Sequence, residues 1–279
     1  MTDVFADRWE GVAAEVLAAR WGLPSVHLFA RVRSTNDAAR GLADGGAPHG
    51  TLCLAEEQTG GRGRGGRAWA SPAGVGVWMS MVARPASLPA PGLLPLLVGL
   101  AAAEAVDPFV RPAVTQVKWP NDLQLAGRKV AGILCEGSWD GARPGAVVVG
   151  IGLNVLHAPD DFPPEVRDTA TSLRIVAGWS PPRVEVAGAV ASAVARALRN
   201  PPAQLTGAML DALRARDVLE GRPVRVTGAH ETAGTALGVS PAGALLLRDS
   251  DGRLQTITSG TVRIASPGEP AGAPLPGTG

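Results

Sequence analysis

Residues 60–69, GGRGRGGRAW, form a segment whose composition suits the binding of polyanions. Five of its ten residues are glycine, three are arginine and none is acidic. The forked guanidinium groups of Arg62, Arg64 and Arg67 match phosphate oxygens, and bare glycine backbone lets a ligand approach closely. The segment contains neither the Gly-Lys-Ser/Thr sequence of a Walker A loop nor the register of a dinucleotide-binding fingerprint.

Two other interpretations of this segment are a solvated surface loop and an RGG-type nucleic-acid-binding segment. The second normally comes with repeats and a basic field, whereas this chain has one copy and a formal net charge of +1. Fixing so much glycine backbone is entropically costly. We therefore expect a mobile flap that a phosphate-bearing ligand orders.

Residues 118–137, KWPNDLQLAGRKVAGILCEG, contain both lysines of the chain, Lys118 and Lys129, among 26 basic residues. A lysine ammonium is a compact point charge, so these two positions indicate places where a guanidinium fork would not serve. The alternative is chance survival of two surface lysines. Asn121 and Asp122 lie in the same predicted hairpin, which can direct both lysines into one pocket.

Two further motifs carry polar side chains next to predicted elements. In RSTND, residues 33–37, the side chains of Ser34, Thr35 and Asn36 either cap the following helix or also bind a ligand. In GIGLNV, residues 150–155, Asn154 ends a buried strand, where its amide reaches a ligand or satisfies interior polarity. Trp69 and Trp119 either pack in the core or stack on a nucleotide base.

Alternating and helical patterns predict the elements that position these motifs. Strands are predicted at residues 25–32, 51–57, 74–83, 114–119, 122–127, 129–137 and 146–155. Helices are predicted at residues 8–20, 37–43, 91–106, 182–198 and 202–216. From about residue 219, short strands and tight turns predict a small β-barrel. We divide the chain into an N-terminal helical segment (1–21), a larger domain (22–218), a small domain (219–266) and a disordered tail (267–279).

Composition indicates a globular protein with 279 residues and 46% hydrophobic content. The most apolar stretch, residues 91–106, is shorter than the roughly 20 residues of a membrane span. The N-terminus lacks the order of a secretion signal, so we expect a cytoplasmic protein. Cys53 and Cys135 lie in apolar runs, and the four histidines share no ligand spacing, so we expect no structural metal.

Taken together, STN, GRGRGGRAW, KWPND, KVAGIL and GIGLNV resemble the biotin protein ligases, also called biotin–[acetyl-CoA-carboxylase] ligases. The resemblance runs from about Val32 to Ile264. It implies an α+β fold with a mixed central sheet flanked by helices, similar to class II synthetases, and a small C-terminal SH3-like β-barrel. It also implies a two-step reaction, in which biotin and ATP form biotinyl-5′-AMP and a carrier lysine then takes the biotin.

The resemblance assigns site residues by their positions in these motifs. Catalytic roles fall to Lys129 and Arg64. Biotin contacts fall to Ser34, Thr35, Asn36, Gln58, Gly61, Arg62, Arg64, Lys129 and Gly132. ATP contacts fall to Arg64, Arg67, Trp69, Lys118, Asn121, Lys129 and Asn154. Asp122 is a weak candidate both for a metal ligand and for the base of the transfer step.

The resemblance further implies ATP, biotin and Mg²⁺ as ligands and a biotin carboxyl carrier domain of acetyl-CoA carboxylase or a related carboxylase as partner. We expect a monomer or homodimer that binds neither nucleic acid nor membrane, because no DNA-binding module precedes the larger domain. Gly65 and the turn SGTV, residues 259–262, depart from the family pattern. Lipoate or octanoate ligases and non-catalytic nucleic-acid-binding proteins are the alternatives.

Overall fold

The computed structural model describes residues 3–85, 90, 92–140, 143–228 and 231–265. Its strands are β1 (Val4–Phe5), β2 (Arg8–Trp9), β3 (Val12–Ala13), β4 (Val26–Arg31), β5 (Leu52–Ala55), β6 (Gly76–Ala83), β7 (Gln116–Lys118), β8 (Asp122–Leu125), β9 (Arg128–Asp140), β10 (Arg143–Asn154), β11 (Pro223–Thr227), β12 (Glu231–Val239), β13 (Leu245–Arg248), β14 (Leu254–Ile257) and β15 (Thr261–Ile264). Its α-helices are α1 (Ala14–Trp21), α2 (Thr35–Asp44), α3 (Leu93–Val106), α4 (Leu173–Ala177), α5 (Arg183–Arg199) and α6 (Gly207–Arg214). The predicted tail, residues 267–279, lies outside the described residues.

An eight-stranded sheet forms the centre of the larger domain, in the order β1-β4-β5-β6-β10-β9-β8-β7. Strands β4 and β5 are parallel, and the other neighbouring pairs are antiparallel. The predicted mixed sheet with flanking helices is thus confirmed. In the part of the chain that the structure describes, no helix combines the length and apolar character needed to cross a membrane.

Side chains of the central strands alternate between two cores, which decides where the polar motifs point. The odd-numbered residues of β10 from 147 to 153 pack in the large core beneath α3 and α5. Val148 packs on the opposite face, in a smaller cluster with residues of α2. Because a strand has a period of two, Gly150, Gly152 and Asn154 also fall on the α2 face.

The C-terminal strands form a five-stranded antiparallel sheet in the order β14-β13-β12-β11-β15, consistent with the predicted SH3-like domain. This small domain is attached to the larger one through Trp119. The Trp119 side chain is buried, and its Nε1 donates a hydrogen bond to the carbonyl of Gly243 at 3.0 Å. Trp119 is therefore a core residue that joins the two domains, as the packing alternative predicts.

The first helix begins later than predicted. Instead of running from residue 8, the chain forms a hairpin of β2 and β3, and α1 begins at Ala14. Glu10 and Gly11 lie in the turn with φ angles of 49° and 77°, a conformation incompatible with a right-handed helix. The predicted N-terminal helical segment is thus half hairpin and half helix.

The last predicted helix is shorter than residues 202–216. It begins at Gly207, because the Oγ1 of Thr206 accepts a hydrogen bond from the backbone N–H of Met209 and caps the helix. By contrast, α5 closely matches the helix predicted at residues 182–198.

Arg183 connects the N-terminal hairpin to the sheet. Its side chain is only 4% exposed and forms ion pairs with Glu10 and Glu56. It also donates a hydrogen bond to the carbonyl of Gly76 and lies over the ring of Trp9. This buried cation therefore contacts the N-terminal hairpin, the residue that follows β5 and the first residue of β6, and it joins these parts at the start of α5.

We predict that Arg183→Met lowers the free energy of unfolding by about 1–3 kcal/mol, because it removes the donor to the Gly76 carbonyl and leaves two partly exposed carboxylates, Glu10 and Glu56, without their cation. Arg196→Met, at an exposed position of the same helix, should change it by less than about 0.5 kcal/mol. Urea unfolding followed by circular dichroism measures both values. Equal effects at the two positions would contradict a structural role for the buried ion pairs.

Candidate active site

A cavity of about 1090 Å³ lies between the α2 face of the sheet, the flap (residues 60–69) and the C-terminal domain. The residues assigned from the sequence that line it are Ser34, Thr35, Asn36, Gln58, Arg62, Arg64, Arg67, Trp69, Lys118, Asn121, Asp122, Lys129, Gly132 and Asn154. The structure thus brings together motifs that lie up to 120 residues apart in the chain.

Gly61 is the assigned residue that does not line this cavity. It lies at the base of the flap, where its carbonyl accepts a hydrogen bond from the backbone N–H of Trp69 at 2.9 Å. A Cβ atom at this position would come within 2.4 Å of the Trp69 carbonyl oxygen. Gly61 therefore allows the two sides of the flap to approach each other.

The flap is a hairpin with its own backbone hydrogen bonds. In addition to the bond at its base, the N–H of Gly63 donates to the carbonyl of Arg67 at 2.7 Å. A single turn of 3-10 helix, Arg64–Gly66, forms the tip, and Gly65 and Gly66 have positive φ angles there. The flap therefore has the conformation of a hairpin in this structure, and the expectation that a phosphate-bearing ligand orders it stays a prediction.

Two flap arginines contact other parts of the molecule. Arg62 forms a two-pronged ion pair with Asp37 of α2, and this hydrogen-bonded guanidinium lowers the pKa of Asp37. Nη1 of Arg64 lies 3.4 Å from Oδ1 of Asn121 and 3.3 Å from the carbonyl oxygen of Gly260. The flap is therefore held over the cavity from both sides.

The start of α2 is capped by a residue that the sequence did not suggest as a cap. Ser34 occupies the N-cap position but makes no capping hydrogen bond. Instead, Oε1 of Gln58 accepts hydrogen bonds from the N–H of Thr35 at 2.8 Å and from its Oγ1 at 3.0 Å. The prediction that RSTND caps its own helix is wrong. Nε2 of Gln58 donates in turn to Oγ of Ser71 at 2.8 Å, which fixes the amide.

Asn36 is held by its neighbours on the α2 face. Its Nδ2 donates to Oε2 of Glu136 at 2.6 Å, and its Oδ1 lies 2.6 Å from Oγ of Ser80. A Cβ atom on Gly150 would come within 2.1 Å of that Oδ1. The glycine therefore makes the room that the Asn36 side chain occupies.

The indole of Trp69 packs against two glycines, and the ammonium of Lys129 lies above its ring. Gly132 and Gly152 face each other across β9 and β10, and a Cβ on Gly152 would come within 2.4 Å of the indole Nε1. Nζ of Lys129 lies 5.1 Å from the centroid of the Trp69 ring and 2.7 Å from Oδ1 of Asp122. The ammonium is therefore held by an ion pair and a cation–π contact together.

Within the cavity, the cations Lys118, Lys129, Arg64 and Arg67 lie around the carboxylate of Asp122. Burial lowers the pKa of Lys118, the nearby cations Lys129 and Arg67 lower it further, and Asp122 opposes the shift. Burial also lowers the pKa of Arg64. Four cations thus converge on one carboxylate, an arrangement that favours a ligand with several negative charges.

Backbone contacts fix the strand that carries Lys129. Its N–H donates to the carbonyl of Thr169 at 2.7 Å, and its carbonyl accepts from the N–H of Thr171 at 2.8 Å. Nδ2 of Asn154 donates to the carbonyl of Thr171 at 3.0 Å, and Nδ2 of Asn121 donates to the carbonyl of Ile133 at 2.8 Å. Both amides therefore donate hydrogen bonds to backbone carbonyl groups, and both also line the cavity.

Sequence patterns did not single out several other residues of the cavity. Among the ionisable ones are Asp161, Glu165, Asp168, Asp217, Glu220 and Arg222. Most of them lie in loops without periodicity, so only the fold brings them to the cavity. Ile264 of β15 also lines it, which places the C-terminal domain in the wall.

No group of three His, Cys, Asp or Glu residues suited to a metal ion occurs in the described parts of the chain. Asp122, the candidate metal ligand, is paired with Lys129. His157 is buried, its ring stacks on Phe162 at 4.8 Å, and burial lowers its pKa to about 4. At neutral pH an imidazole with such a low pKa is uncharged and only a weak base.

Two family models match the chain. Residues 28–154 match the biotin/lipoate A/B protein ligase family, and residues 221–264 match the biotin protein ligase C terminal domain. The second match begins close to the domain boundary predicted near residue 219.

Relatives and solved structures agree with these matches. The chain is 36% identical over 258 residues to the biotin–[acetyl-CoA-carboxylase] ligase of Mycobacterium tuberculosis, covering 89% of this chain and 92% of that protein. It is 44% identical over 146 residues to the bifunctional ligase/repressor BirA of Bacillus subtilis, covering 52% of this chain and spanning only 45% of that protein's length. Its fold matches the biotin protein ligase from Aquifex aeolicus in complex with biotin and ATP, with a TM-score of 0.74, 28% identity, and coverage of 86% and 99% of the two chains.

We predict that Gly152→Ala destabilises the protein by about 1–3 kcal/mol, because the new Cβ collides with the indole of Trp69. Gly137→Ala, at a position of β9 with nothing within 4 Å, should have little effect. Replacing the indole by a phenyl ring, in Trp69→Phe/Gly152→Ala, should recover part of the loss. Urea unfolding of these three variants and of Trp69→Phe alone tests the prediction, and a double variant no more stable than the sum of the two single effects predicts would contradict the collision.

Proposed function

The chain belongs to the biotin protein ligase family, and we propose that it activates biotin with ATP and transfers it to a carrier protein. The first step forms biotinyl-5′-AMP and pyrophosphate. In the second step, a lysine of a biotin carboxyl carrier domain takes the biotinyl group. The observation that supports this proposal best is the convergence of both lysines of the chain on one cavity lined by the flap.

Charge repulsion is the obstacle in the first step. The biotin carboxylate is ionised at neutral pH, so it attacks the α-phosphorus of ATP without a general base. A new bond joins the carboxylate oxygen to phosphorus, and the bond from the α-phosphorus to the bridging oxygen of pyrophosphate breaks. Negative charge spreads over the phosphoryl oxygens, so fixed cations stabilise the transition state.

We assign the central electrostatic role to Lys129. Its ammonium has a fixed position, because Asp122 and the Trp69 ring hold it and the strand backbone beneath it is bonded on both sides. A charge that is already in place costs no reorganisation when the anions meet. We place Lys118 and Arg67 beside the pyrophosphate, where their positive charges balance the leaving group.

Other groups line the proposed binding sites and exclude water. The hydrogen-bonded set around Thr35, Asn36 and Gln58 lies on the α2 side, where we place biotin. We place the adenylate under Arg62 and Arg64, beside Asn121 and Asn154. The closed flap then protects the labile mixed anhydride from hydrolysis.

The transfer step needs an uncharged amine on the carrier lysine. Its nitrogen attacks the acyl carbon, the bond from that carbon to the AMP oxygen breaks, AMP leaves and the amine loses a proton. Asp122, a weak candidate for the base, is engaged with Lys129 at 2.7 Å. We therefore assign Asp122 to positioning the ammonium.

Mg²⁺ is proposed to enter with ATP as part of the substrate. The described residues offer no set of three acidic, histidine or cysteine ligands, whereas Mg²⁺ is commonly held by substrate phosphates and one or two carboxylates. We propose the cytoplasm as the compartment, because ATP and carrier domains are available there.

The alternatives differ from this proposal in measurable ways. A lipoate or octanoate ligase would perform the same chemistry on another acid. A nucleic-acid-binding protein needs cations along an exposed surface, whereas both lysines of this chain line a cavity. A non-catalytic protein would support no exchange of pyrophosphate into ATP.

We predict biotin-dependent exchange of labelled pyrophosphate into ATP, and a carrier domain that gains the mass of one biotinyl group. Lys129→Ala should lower the exchange rate by about 100-fold to 1000-fold, because it removes the fixed charge at the reacting oxygens. Arg128→Ala, the exposed neighbour, should retain the parent rate.

Equal exchange with lipoate or octanoate would favour the alternative ligase, and no exchange with any acid would overturn the proposal. Exchange by Lys129→Ala at the parent rate would contradict the role of that ammonium alone. Mass spectrometry of the purified protein with biotin, Mg-ATP and the carrier domain reports both steps.

Lys118 should give the reaction an alkaline limit. Its pKa lies below the usual range of lysine, so kcat/KM for ATP should fall as pH rises through that lowered pKa and the ammonium is lost. Lys118→Arg keeps a positive charge to much higher pH, and its kcat/KM should stay flat over that range. An identical alkaline fall in both proteins would show that another group titrates.

A further inference from the structure

The flap is attached at two points that lie on different domains. On one side, Arg62 pairs with Asp37 of α2, within the larger domain. On the other side, Arg64 reaches the carbonyl oxygen of Gly260, in the turn between β14 and β15 of the C-terminal domain.

The turn that carries Gly260 packs closely against the end of β11. Gly260 has a φ angle of 147°, which side-chain-bearing residues rarely adopt. A Cβ atom there would come within 2.6 Å of Cγ1 of Val226 and 3.0 Å of the Thr227 carbonyl oxygen. The direction of the Gly260 carbonyl is therefore fixed by the packing of the turn on the end of β11.

The domain that carries the turn is itself held against the larger domain. Trp119 donates to the carbonyl of Gly243, and a Cβ on Gly243 would come within 2.9 Å of the Cα of Leu93. The N–H of Leu205 donates to the carbonyl of Pro241 at 2.8 Å. The acceptor for Arg64 thus belongs to a domain whose turn at residues 240–243 contacts the larger domain through Pro241 and Gly243.

We propose that the Gly260 carbonyl is a latch for the flap, so that the C-terminal domain helps to retain biotinyl-5′-AMP through Arg64. This inference rests on the proposed function. Both contacts of Arg64, to Asn121 and to Gly260, use Nη1. Among the described residues Nε and Nη2 have no further partner, so both can bind a phosphate, and one guanidinium then joins the flap, the C-terminal domain and the adenylate. Gly260 is a positioning residue, because it acts through Arg64.

The test measures how fast the adenylate leaves. The adenylate is formed on the full chain from labelled biotin and Mg-ATP, and its release into excess unlabelled biotin is followed by rapid filtration. Gly260→Ala should release it about tenfold faster, the effect of one hydrogen bond to a charged group. Gly252→Ala is the matched control, since it has a φ angle of 81° in the same domain and nothing within 4 Å.

A double variant separates the latch from a general loss of structure. Arg64→Ala should also accelerate release, and Gly260→Ala/Arg64→Ala should be no faster than Arg64→Ala, because the latch has then lost its donor. The latch would be overturned if the increases in release rate from the two single substitutions multiply in the double variant. It would also be overturned if Gly260→Ala releases the adenylate as slowly as Gly252→Ala. Thermal unfolding shows whether each variant is folded.

Arg64→Lys covers the case in which Gly260→Ala does not fold. Its single ammonium lacks the span of the fork, so we expect faster release with the parent's thermal stability. Parent-like release from this variant would also reject the latch. If the parent protein forms no adenylate, the proposed function fails. If the parent forms and retains the adenylate but the two substitutions have multiplicative effects on release, only the latch is rejected.

Discussion

The site depends on several cations that lie close together in one cavity. Lys118, Lys129, Arg64 and Arg67 converge on a single carboxylate, Asp122. The lowered pKa of Lys118 reflects the free-energy cost of this arrangement, since burial and like charges both disfavour its ammonium. A polyanionic ligand reverses that cost. The same repulsion that strains the free protein therefore favours binding of a triphosphate.

The position of the Lys129 ammonium depends on two glycines that leave space for the ring beneath it. Gly132 and Gly152 leave bare backbone on the α2 face of two paired strands, and the indole of Trp69 fills that space. Trp69 is the last residue of the flap, so the position of its ring also fixes where this end of the flap meets the sheet. The glycines of GIGLNV thus act on Lys129 through Trp69, which explains how a strand without catalytic side chains shapes the site.

Local sequence patterns were sufficient for strands β4 to β10 of the central sheet, for α3 and α5, and for the idea that both lysines face one pocket. They failed where a distant residue decides the local structure. The turn at Glu10 interrupts a helical pattern, and the Arg183 cluster that stabilises this hairpin lies over 170 residues away. Gln58 caps a helix that begins 23 residues earlier in the chain. Periodicity and capping rules describe neighbours along the chain, so such contacts are outside their reach.

The arginines of the flap are a second case in which local sequence patterns indicate a function but not the distant residues that the side chains contact. Their composition predicted a segment for binding phosphate, but no sequence pattern indicated that Asp37 or Gly260 would be their partners. These contacts lower the entropy that a ligand must overcome, because the flap is already folded on itself and on two domains. A short glycine-rich hairpin has too few apolar groups to reach that state alone. The small C-terminal domain is therefore part of the structure that closes the site, although its strands contribute few of the cavity's side chains.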